Sequence, residues 1–361
     1  MSASSKNMIR PKRDWKAVLL RYEMLLLLVL TAEWIFFYYA GTTTNRRGVV
    51  VGFGTLDRQF DILRHSCEIG LLALALTPVI ITAGIDLSVA SLLGLCAILF
   101  GKFWHDAGLP IPVAIAFTLL IGGLAGALNG SLITKLRLPP MIVTLGTYSL
   151  FRGLAEAITR GSVTYTDFPA SFLFLGQERW LGVPTQAWIF AAVAVAIGLL
   201  VHRTTYGRSF RAIGFSPEGA RYAGLPVERR VALVYIIAGV VAAIAAIIYT
   251  ARLGQAKADA GLGYELFAIT AVVLGGTSIF GGKGSVIGTL LGVAAIAVLK
   301  NGLATLPVVM RMNAAEEMAG LLTGALLLLA LTGSVLPRLW SRWRSRPPAT
   351  ATPELKPKST A

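Results

Sequence analysis

Apolar residues recur along this chain in long runs that are separated by short polar or glycine-rich segments. Ten runs can be counted, at about 18–39, 66–84, 87–104, 110–133, 140–158, 187–201, 231–251, 263–281, 285–306 and 314–335. A helix that crosses a bilayer needs about 20 mostly apolar residues, so the pattern predicts an all-α polytopic membrane protein with about ten spans. Several runs are shorter than this. They predict short or broken helices whose unwound, glycine-containing backbone lines a cavity.

The composition supports this prediction. Of the 361 residues, 55% are hydrophobic and only 14% are charged, whereas soluble domains carry about 25% charged residues. The mean hydropathy is +0.69. A soluble enzyme, a DNA-binding domain and a disordered protein are therefore excluded.

The net charge of +15 is concentrated in three segments that flank apolar runs. Residues 1–21 carry +5, residues 202–230 carry +4 and residues 338–361 carry +5. Basic residues beside apolar spans mark the cytoplasmic side of a membrane protein. The charge therefore indicates topology and a lipid bilayer around the spans, and no nucleic-acid partner is expected.

This topology divides the chain into three parts. We predict a basic cytoplasmic N-terminus at 1–17, a transmembrane domain at 18–335 with a cytoplasmic loop at 202–230, and a basic, disordered cytoplasmic tail at 336–361. An even number of spans puts both termini on the same side, and their basic residues mark that side as cytoplasmic. The loop at 40–65 falls outside although it contains four arginines, which are Arg46, Arg47, Arg58 and Arg64.

The two halves of the chain share a weak internal sequence repeat. Ser88-Val89 followed by Leu92-Leu93-Gly94 is similar to Ser285-Val286 followed by Leu290-Leu291-Gly292, about 197 residues later. The repeat is consistent with a duplicated bundle whose halves run in the same direction through the membrane.

Signals for catalysis or metal binding are weak. Cys67 and Cys96 lie inside apolar runs without a CxxC motif or a histidine cluster, so we interpret them as core residues. The segment 275–285 superficially resembles a phosphate-binding loop, but Gly284 follows Lys283 where such a loop needs Ser or Thr. The segment instead predicts a glycine-broken junction between two spans, and we expect neither a metal nor a cofactor in this chain. The junction glycines are Gly275, Gly276, Gly281 and Gly282.

Polar residues inside the spans need a physical reason, because a charged residue at the centre of a span costs about 2.5–3.5 kcal/mol. Asp86 lies with Ser88 at a predicted break, where it either caps the next helix or faces the translocation path. Arg152 and Glu156 are four residues apart and can form an ion pair on one helical face, or they contact the substrate.

Uncharged polar residues add to this group. Asn129 and Thr144 either line the path or form hydrogen bonds between helices, and the same holds for Thr147. We predict that six residues line or brace the translocation path, and these are Asp86, Ser88, Asn129, Thr144, Arg152 and Glu156.

Acidic residues open two of the later spans at the outer face. Glu265 begins the eighth span, and Glu316 and Glu317 begin the tenth. A carboxylate is favourable near a helix N-terminus. If these acids are exposed, they also form a contact surface for a periplasmic partner.

The cytoplasmic loop contains the most informative local signals. Ser216 is a typical helix cap, Pro217 suits the first turn and Gly224 suits the end, so we predict a short helix from Pro217 to about Ala223. Such a displayed helix is suited to docking a soluble partner. The alternative is a basic linker that lies on anionic lipid headgroups.

With this loop, four motifs in order resemble the permease subunits of bacterial ATP-binding-cassette importers for monosaccharides. The resemblance covers about 66–335 and rests on residues 84–89, 138–146 with 152–153, 207–224, and 273–278 with 280–282. The class includes ribose, xylose, arabinose and rhamnose importers, and residues 167–172 are similar to rhamnose-type or autoinducer-2-type members.

The resemblance implies a set of partners and a role for the loop. It implies a second permease subunit, identical or not, a pair of ATPase subunits that hold ATP and Mg²⁺, and a periplasmic sugar-binding protein. It also implies that the loop couples to the ATPase through Ala212, Gly214, Glu218, Ala220, Arg221 and Gly224.

The predicted function is that of a non-enzymatic permease subunit in the bacterial inner membrane, which translocates a monosaccharide or a sugar-like solute. One alternative is a branched-chain amino-acid permease of related fold, which differs only in substrate. Another is an ion-coupled secondary transporter, which would need carboxylates near the midplane. Only Glu33 and Glu156 are predicted to lie deep in spans.

Overall fold

The computed structural model describes residues 22–44, 50–306, 317–329 and 332. Within these residues the chain forms thirteen α-helices and two short antiparallel strand pairs. The helices are α1 (Tyr22–Ala40), α2 (Leu56–Ile81), α3 (Val89–His105), α4 (Ile111–Thr134), α5 (Pro140–Thr159), α6 (Ala170–Gln177), α7 (Thr185–Arg203), α8 (Thr205–Phe215), α9 (Pro217–Tyr222), α10 (Val227–Leu253), α11 (Tyr264–Leu274), α12 (Val286–Leu303) and α13 (Glu317–Leu329). The strands are β1 (Thr42–Thr44) paired with β2 (Val50–Gly52), and β3 (Arg179–Trp180) paired with β4 (Val183–Pro184).

The prediction of an all-α polytopic membrane protein is confirmed. Six of the described helices are long and apolar enough to cross a membrane, namely α1, α2, α4, α7, α10 and α12. Three shorter apolar helices, α3, α11 and α13, also lie on predicted runs, and α5 lies on the fifth. The number of ten spans and the cytoplasmic position of both termini stay predictions. The segments 1–17 and 336–361 lie outside the described residues.

Helices α2 and α10 form the centre of the bundle. Helix α2 packs against α7, α10, α11 and α12, and α10 packs against α3, α4 and α6 as well. From Ser66 to Ile81 every residue of α2 is buried. A helix that is apolar around its whole circumference is favoured in such a position.

Small residues bring α4 and α10 into close contact. A side chain at Gly122 would meet the carbonyl of Gly239, and one at Gly126 would overlap the carbonyl of Tyr235. Gly130 lies in the same way against Ala232. Glycines at these three positions therefore allow the two helix backbones to approach closely.

The helical bundle is interrupted at two places, and at each of them a serine precedes the next helix. The first lies between α2 and α3 at residues 82–88, and the second lies between α11 and α12 at residues 275–285. Ser88 and Ser285, the first residues of the internal repeat, immediately precede α3 and α12. The hydroxyl oxygens of Thr77 and Thr289 lie 2.9 Å apart and join the two halves in the core.

Two predicted span boundaries are wrong. Helix α2 begins at Leu56 rather than near residue 66, because Thr55 caps it by accepting a hydrogen bond from the Arg58 backbone N–H. Arg58 and Arg64 therefore lie in the helix and not in a loop, whereas Arg46 and Arg47 lie outside the described residues. The eighth span ends at Leu274 instead of residue 281.

Candidate functional site

The first interruption is built around a buried polar cluster. One carboxylate oxygen of Asp86 accepts hydrogen bonds from the backbone N–H of Ser88 at 2.9 Å and from its hydroxyl at 2.6 Å. The Asn129 side-chain amide donates to the same hydroxyl oxygen at 2.8 Å. From α5, the Thr144 hydroxyl donates to the Ile85 carbonyl at 3.1 Å. Four predicted path residues thus come together at this break, and we refer to Asp86, Ser88, Asn129 and Thr144 as the Asp86 cluster.

The Asp86 cluster braces three helices. All four of its side chains are buried, and the Ser88 hydroxyl uses its donor on Asp86 while it accepts from Asn129. Ser88 itself occupies the cap position of α3 but makes no side-chain cap bond. The carboxylate of Asp86 accepts from the backbone N–H of Ser88, the cap residue itself, so Asp86 is not the cap of α3 that the sequence predicted. Thr147, which the sequence also singled out, bonds the carbonyl of Val143 within α5.

The predicted ion pair between Arg152 and Glu156 is wrong. The Arg152 guanidinium instead donates to the carbonyls of Ala258 and Ala260 in the loop that follows α10. Glu156 is exposed on α5. Two converging carbonyls offer the planar guanidinium several acceptors at once, which an exposed carboxylate one helical turn away does not.

The three predicted outer acids differ in position. Glu265 lies in the first turn of α11, as expected, but it is only 8% exposed. Burial at this level contradicts the expectation that Glu265 is available to an external partner. Glu317 is exposed at the start of α13, and Glu316 lies outside the described residues.

The cytoplasmic loop forms two consecutive helices, α8 and α9. Ser216 accepts a hydrogen bond from the Gly219 backbone N–H at 3.0 Å, and Gly224 ends the turn with a φ of +79°. The predicted short helix is therefore present with its predicted cap and terminator. Within the described residues, this loop carries two of the most exposed large side chains, Phe215 at 86% and Tyr222 at 92%.

The residues predicted for coupling divide into a buried and an exposed set. Ala220 packs with Ile213 and Val227 and fixes α9 to the bundle. Arg221 pairs with Glu228 at 2.8 Å across the turn to α10. The exposed members are Ala212, Glu218, Arg221 and Gly224.

Gly214 connects this loop to both interruptions. A side chain at Gly214 would overlap the carbonyl of Ile81, the last residue of α2, and the backbone nitrogen of Gly282. The Gly282 N–H in turn donates to the Ile81 carbonyl at 2.9 Å. The end of α8, the end of α2 and the glycine junction therefore meet backbone to backbone.

The junction itself depends on its glycines. Gly276, Gly281 and Gly282 have φ values of +85°, +81° and +77°, in the left-handed region where residues with a side chain are strained. A side chain at Gly275 would overlap the backbone of Gly288 in α12. The predicted broken junction is present. Each of its four glycines has either a positive φ or a backbone contact that leaves no space for a side chain.

Sequence reasoning missed a buried ion pair at the other end of the bundle. The Glu68 carboxylate of α2 is fully buried, with an oxygen 2.6 Å from the Arg252 side chain of α10. The signal that could have found it is an acid just inside the second apolar run, because such residues are rare and almost always paired.

A second polar group lies in the loops at that end. The Asp106 carboxylate accepts hydrogen bonds from the Tyr165 hydroxyl at 2.9 Å and from Lys102 at 3.1 Å, and it lies 3.0 Å from the His105 ring. The bonds from His105, Tyr165 and Lys102 lower the pKa of Asp106 to about 2. Burial and the bond to Asp106 raise the pKa of Tyr165 to about 12.

Comparison with known proteins identifies the family. Residues 59–331 match the family described as the branched-chain amino acid transport system permease component. The chain belongs to this family. It is therefore a permease subunit and a multi-pass protein of the bacterial inner membrane, and the resemblance found in its motifs is confirmed.

The curated relatives are permeases of import systems. The chain is 40% identical over 270 residues to the autoinducer 2 import system permease protein LsrD of Yersinia enterocolitica, a match that covers 73% of this chain and 80% of that protein. It is 41% identical to the LsrD protein of Yersinia pseudotuberculosis, with 73% and 79% covered. The LsrD protein of Yersinia pestis is 40% identical with the same coverage.

Proposed function

We propose that this permease forms half of the transmembrane pore of an ATP-driven importer for autoinducer 2 or a closely related sugar-like solute. The observation that carries the proposal is the identity of 40% over 270 residues to permeases named for autoinducer 2 import. The family description names branched-chain amino acids, whereas the individual relatives are named for autoinducer 2 import and favour the sugar-like substrate.

The proposed assembly contains a second permease subunit, a pair of ATPases and a periplasmic binding protein. ATP and Mg²⁺ would be held by the ATPases. If the chain has the predicted ten spans with both termini in the cytoplasm, the α8–α9 loop lies on the ATPase side. Its exposed Phe215 and Tyr222 are suited to an apolar groove on a soluble partner, since aromatic side chains are enriched at interfaces.

The contacts of Gly214 support a coupling route. A displacement of α8 and α9 by the ATPases would act directly on the end of α2 and on the glycine junction, because these backbones are in contact. The Asp86 cluster lies immediately after the same end of α2. Both interruptions of the bundle would then respond to a single docking event, which is how alternating access is proposed to arise.

Uptake into cells that express the complete importer tests the coupling assignment. Replacement of Glu218, Arg221 and Gly224 by alanine is expected to abolish uptake of labelled autoinducer 2 while the protein stays in the membrane. The matched control is Arg229→Ala, an exposed arginine in the first turn of α10 that is not among the predicted coupling residues. Unchanged uptake in the triple variant would contradict the assignment of the loop.

The alternatives are separated in proteoliposomes. Competition by unlabelled leucine but not by a sugar would favour the branched-chain amino-acid permease. Uptake that needs an ion gradient and no ATPase would favour the secondary transporter. The buried Glu68 argues against the latter, because its charge is already paired with Arg252 rather than free to bind an ion.

A further inference from the structure

A cavity of about 360 Å³ lies at the end of the bundle opposite the α8–α9 loop. It is formed by the first half of α2, the last turn of α10, the start of α11 and the second half of α12. Its volume is at the lower end of the range of about 300–1,000 Å³ that is usual for ligand sites. The Asp86 cluster takes no part in it.

The lining of this cavity is strongly basic. Arg58, Arg252 and Lys300 come from three different helices and meet there, together with His65. Basic side chains are costly next to an apolar span, and like charges repel at short range. Three of them in one cavity therefore need a compensating negative charge.

Among the described residues, acids supply only part of this charge. Glu68 is held by Arg252 at 2.6 Å and does not line the cavity. Asp61 lies one helical turn before His65 on α2 and interacts with its ring electrostatically, but it is not part of the lining either. The positive charges of Arg58 and Lys300 thus face the cavity, and no carboxylate is found among the described residues of its wall.

Hydrogen-bond donors are also available there. The Arg58 Nε is buried and has no hydrogen-bond partner among the described residues. The Lys300 ammonium lies 5.2 Å from the ring centre of Phe267, a contact that holds it in place while its N–H donors stay available. Arg252 is fixed by Glu68 and donates to the His65 ring at 3.2 Å.

We propose that this cavity binds a phosphate-bearing anion, with Arg58 and Lys300 as its main contacts. Guanidinium groups bind phosphate oxygens through paired N–H donors, and lysine adds a point charge. The phosphate belongs either to the headgroup of an anionic lipid or to a free solute. The inference is independent of the transported substrate.

The test uses the full chain, purified in a neutral detergent with its co-purifying subunits. The midpoint of thermal unfolding is measured against increasing short-chain phosphatidylglycerol or inorganic phosphate. Short-chain phosphatidylcholine and sodium chloride are the controls for detergent-like and ionic effects. A ligand that binds only the folded state raises the midpoint in a saturable way.

The decisive comparison is between two double variants. Arg58→Gln with Lys300→Gln removes two charges from the cavity and leaves the pair of Glu68 and Arg252 intact. Arg160→Gln with Lys257→Gln removes two charges at the same end of the bundle but away from the cavity. We expect the first variant to weaken the apparent affinity at least about tenfold and the second to leave it unchanged.

Each outcome decides a point. A response to both ligands supports the site and shows that free phosphate suffices, whereas a response to phosphatidylglycerol alone assigns the phosphate to a lipid. No saturable response, or one that persists in the cavity variant or is lost equally in the control, overturns the proposal. If the double cavity variant does not purify, the single variants Arg58→Gln and Lys300→Gln are used, and each must weaken binding.

Discussion

The buried pair of Glu68 and Arg252 gives the sharpest prediction about stability. The Glu68 side chain is 0% exposed and that of Arg252 is 10% exposed. Arg252→Gln would leave a carboxylate fully buried without its cation, which costs about 3–5 kcal/mol. Glu68→Gln should cost less, because the arginine borders a cavity and keeps its contact with His65.

The double variant Glu68→Gln/Arg252→Gln separates pairing from packing. Because it leaves no buried charge, we expect it to be more stable than Arg252→Gln alone, with an interaction energy toward the upper end of about 0.5–3 kcal/mol. The free energy of unfolding can be measured by denaturation in mixed micelles, with the fluorescence of the 7 tryptophans as the signal.

An exposed pair provides the matched control. Arg179 and Asp57 lie 2.8 Å apart, with side chains 38% and 84% exposed, so Arg179→Gln should cost less than about 1 kcal/mol. The reasoning fails if the stability losses of the Glu68 and Arg252 single variants add up to that of the double variant within about 0.5 kcal/mol. It also fails if Arg179→Gln costs as much as Arg252→Gln, because burial would then not determine how much an ion pair stabilises the protein.

Three further predictions concern contacts elsewhere in the protein. In Gly214→Ala the added methyl group would overlap the Ile81 carbonyl. We expect this to slow transport about 5- to 150-fold, which corresponds to a cost of about 1–3 kcal/mol. The control Gly146→Ala places its methyl group where no atom lies within 4 Å and should leave uptake unchanged, so equal rates in the two variants would contradict the coupling route. Ser88→Ala should destabilise the protein by about 1–3 kcal/mol for each buried partner that it leaves without a bond, and a loss below 0.5 kcal/mol, within the usual surface range of about ±0.5, would show that the Asp86 cluster is not a brace. Tyr165→Phe should lower thermal stability equally at pH 5 and pH 9. The lowered pKa of Asp106 makes its contribution present above the ordinary value of 3.8 and lost toward pH 2, while the raised pKa of Tyr165 makes its contribution present below 10.0 and lost toward pH 12. A change in the effect between pH 5 and pH 9 would exclude this contact as the cause.

Local signals in the sequence predicted the local structure well. The ten apolar runs fall on ten described helices, because hydropathy and length decide which segments a bilayer accepts. Ser216, Pro217 and Gly224 predicted α9 with its boundaries, since caps and terminators act within one helical turn. The sequence did not predict the start of α2, because its first turns carry charged residues and a prediction from apolar runs assigns such residues to a loop.

Contacts between residues far apart in the sequence could not be predicted from it. Arg152 and Ala258 are separated by 106 residues, and Glu68 and Arg252 by 184. Sequence spacing offered Glu156 as a partner for Arg152 only because it lies one turn away. The true partners are two backbone carbonyls, which carry no signature in the side chains and become visible only after the loop has been placed.

The distribution of these contacts indicates which parts of the bundle can move. At one end, Arg152 holds the loop after α10, and Arg252 joins α10 to α2 through a buried charge, so a displacement there would break strong interactions. At the other end, Gly214, Ile81 and Gly282 touch through backbone with little side-chain bulk. Glycine contacts of this kind allow one segment to slide over another without repacking a side chain. A force applied to α8 and α9 should therefore be absorbed at the two interruptions rather than at the opposite end of the bundle, which makes these breaks the expected gate of the permease.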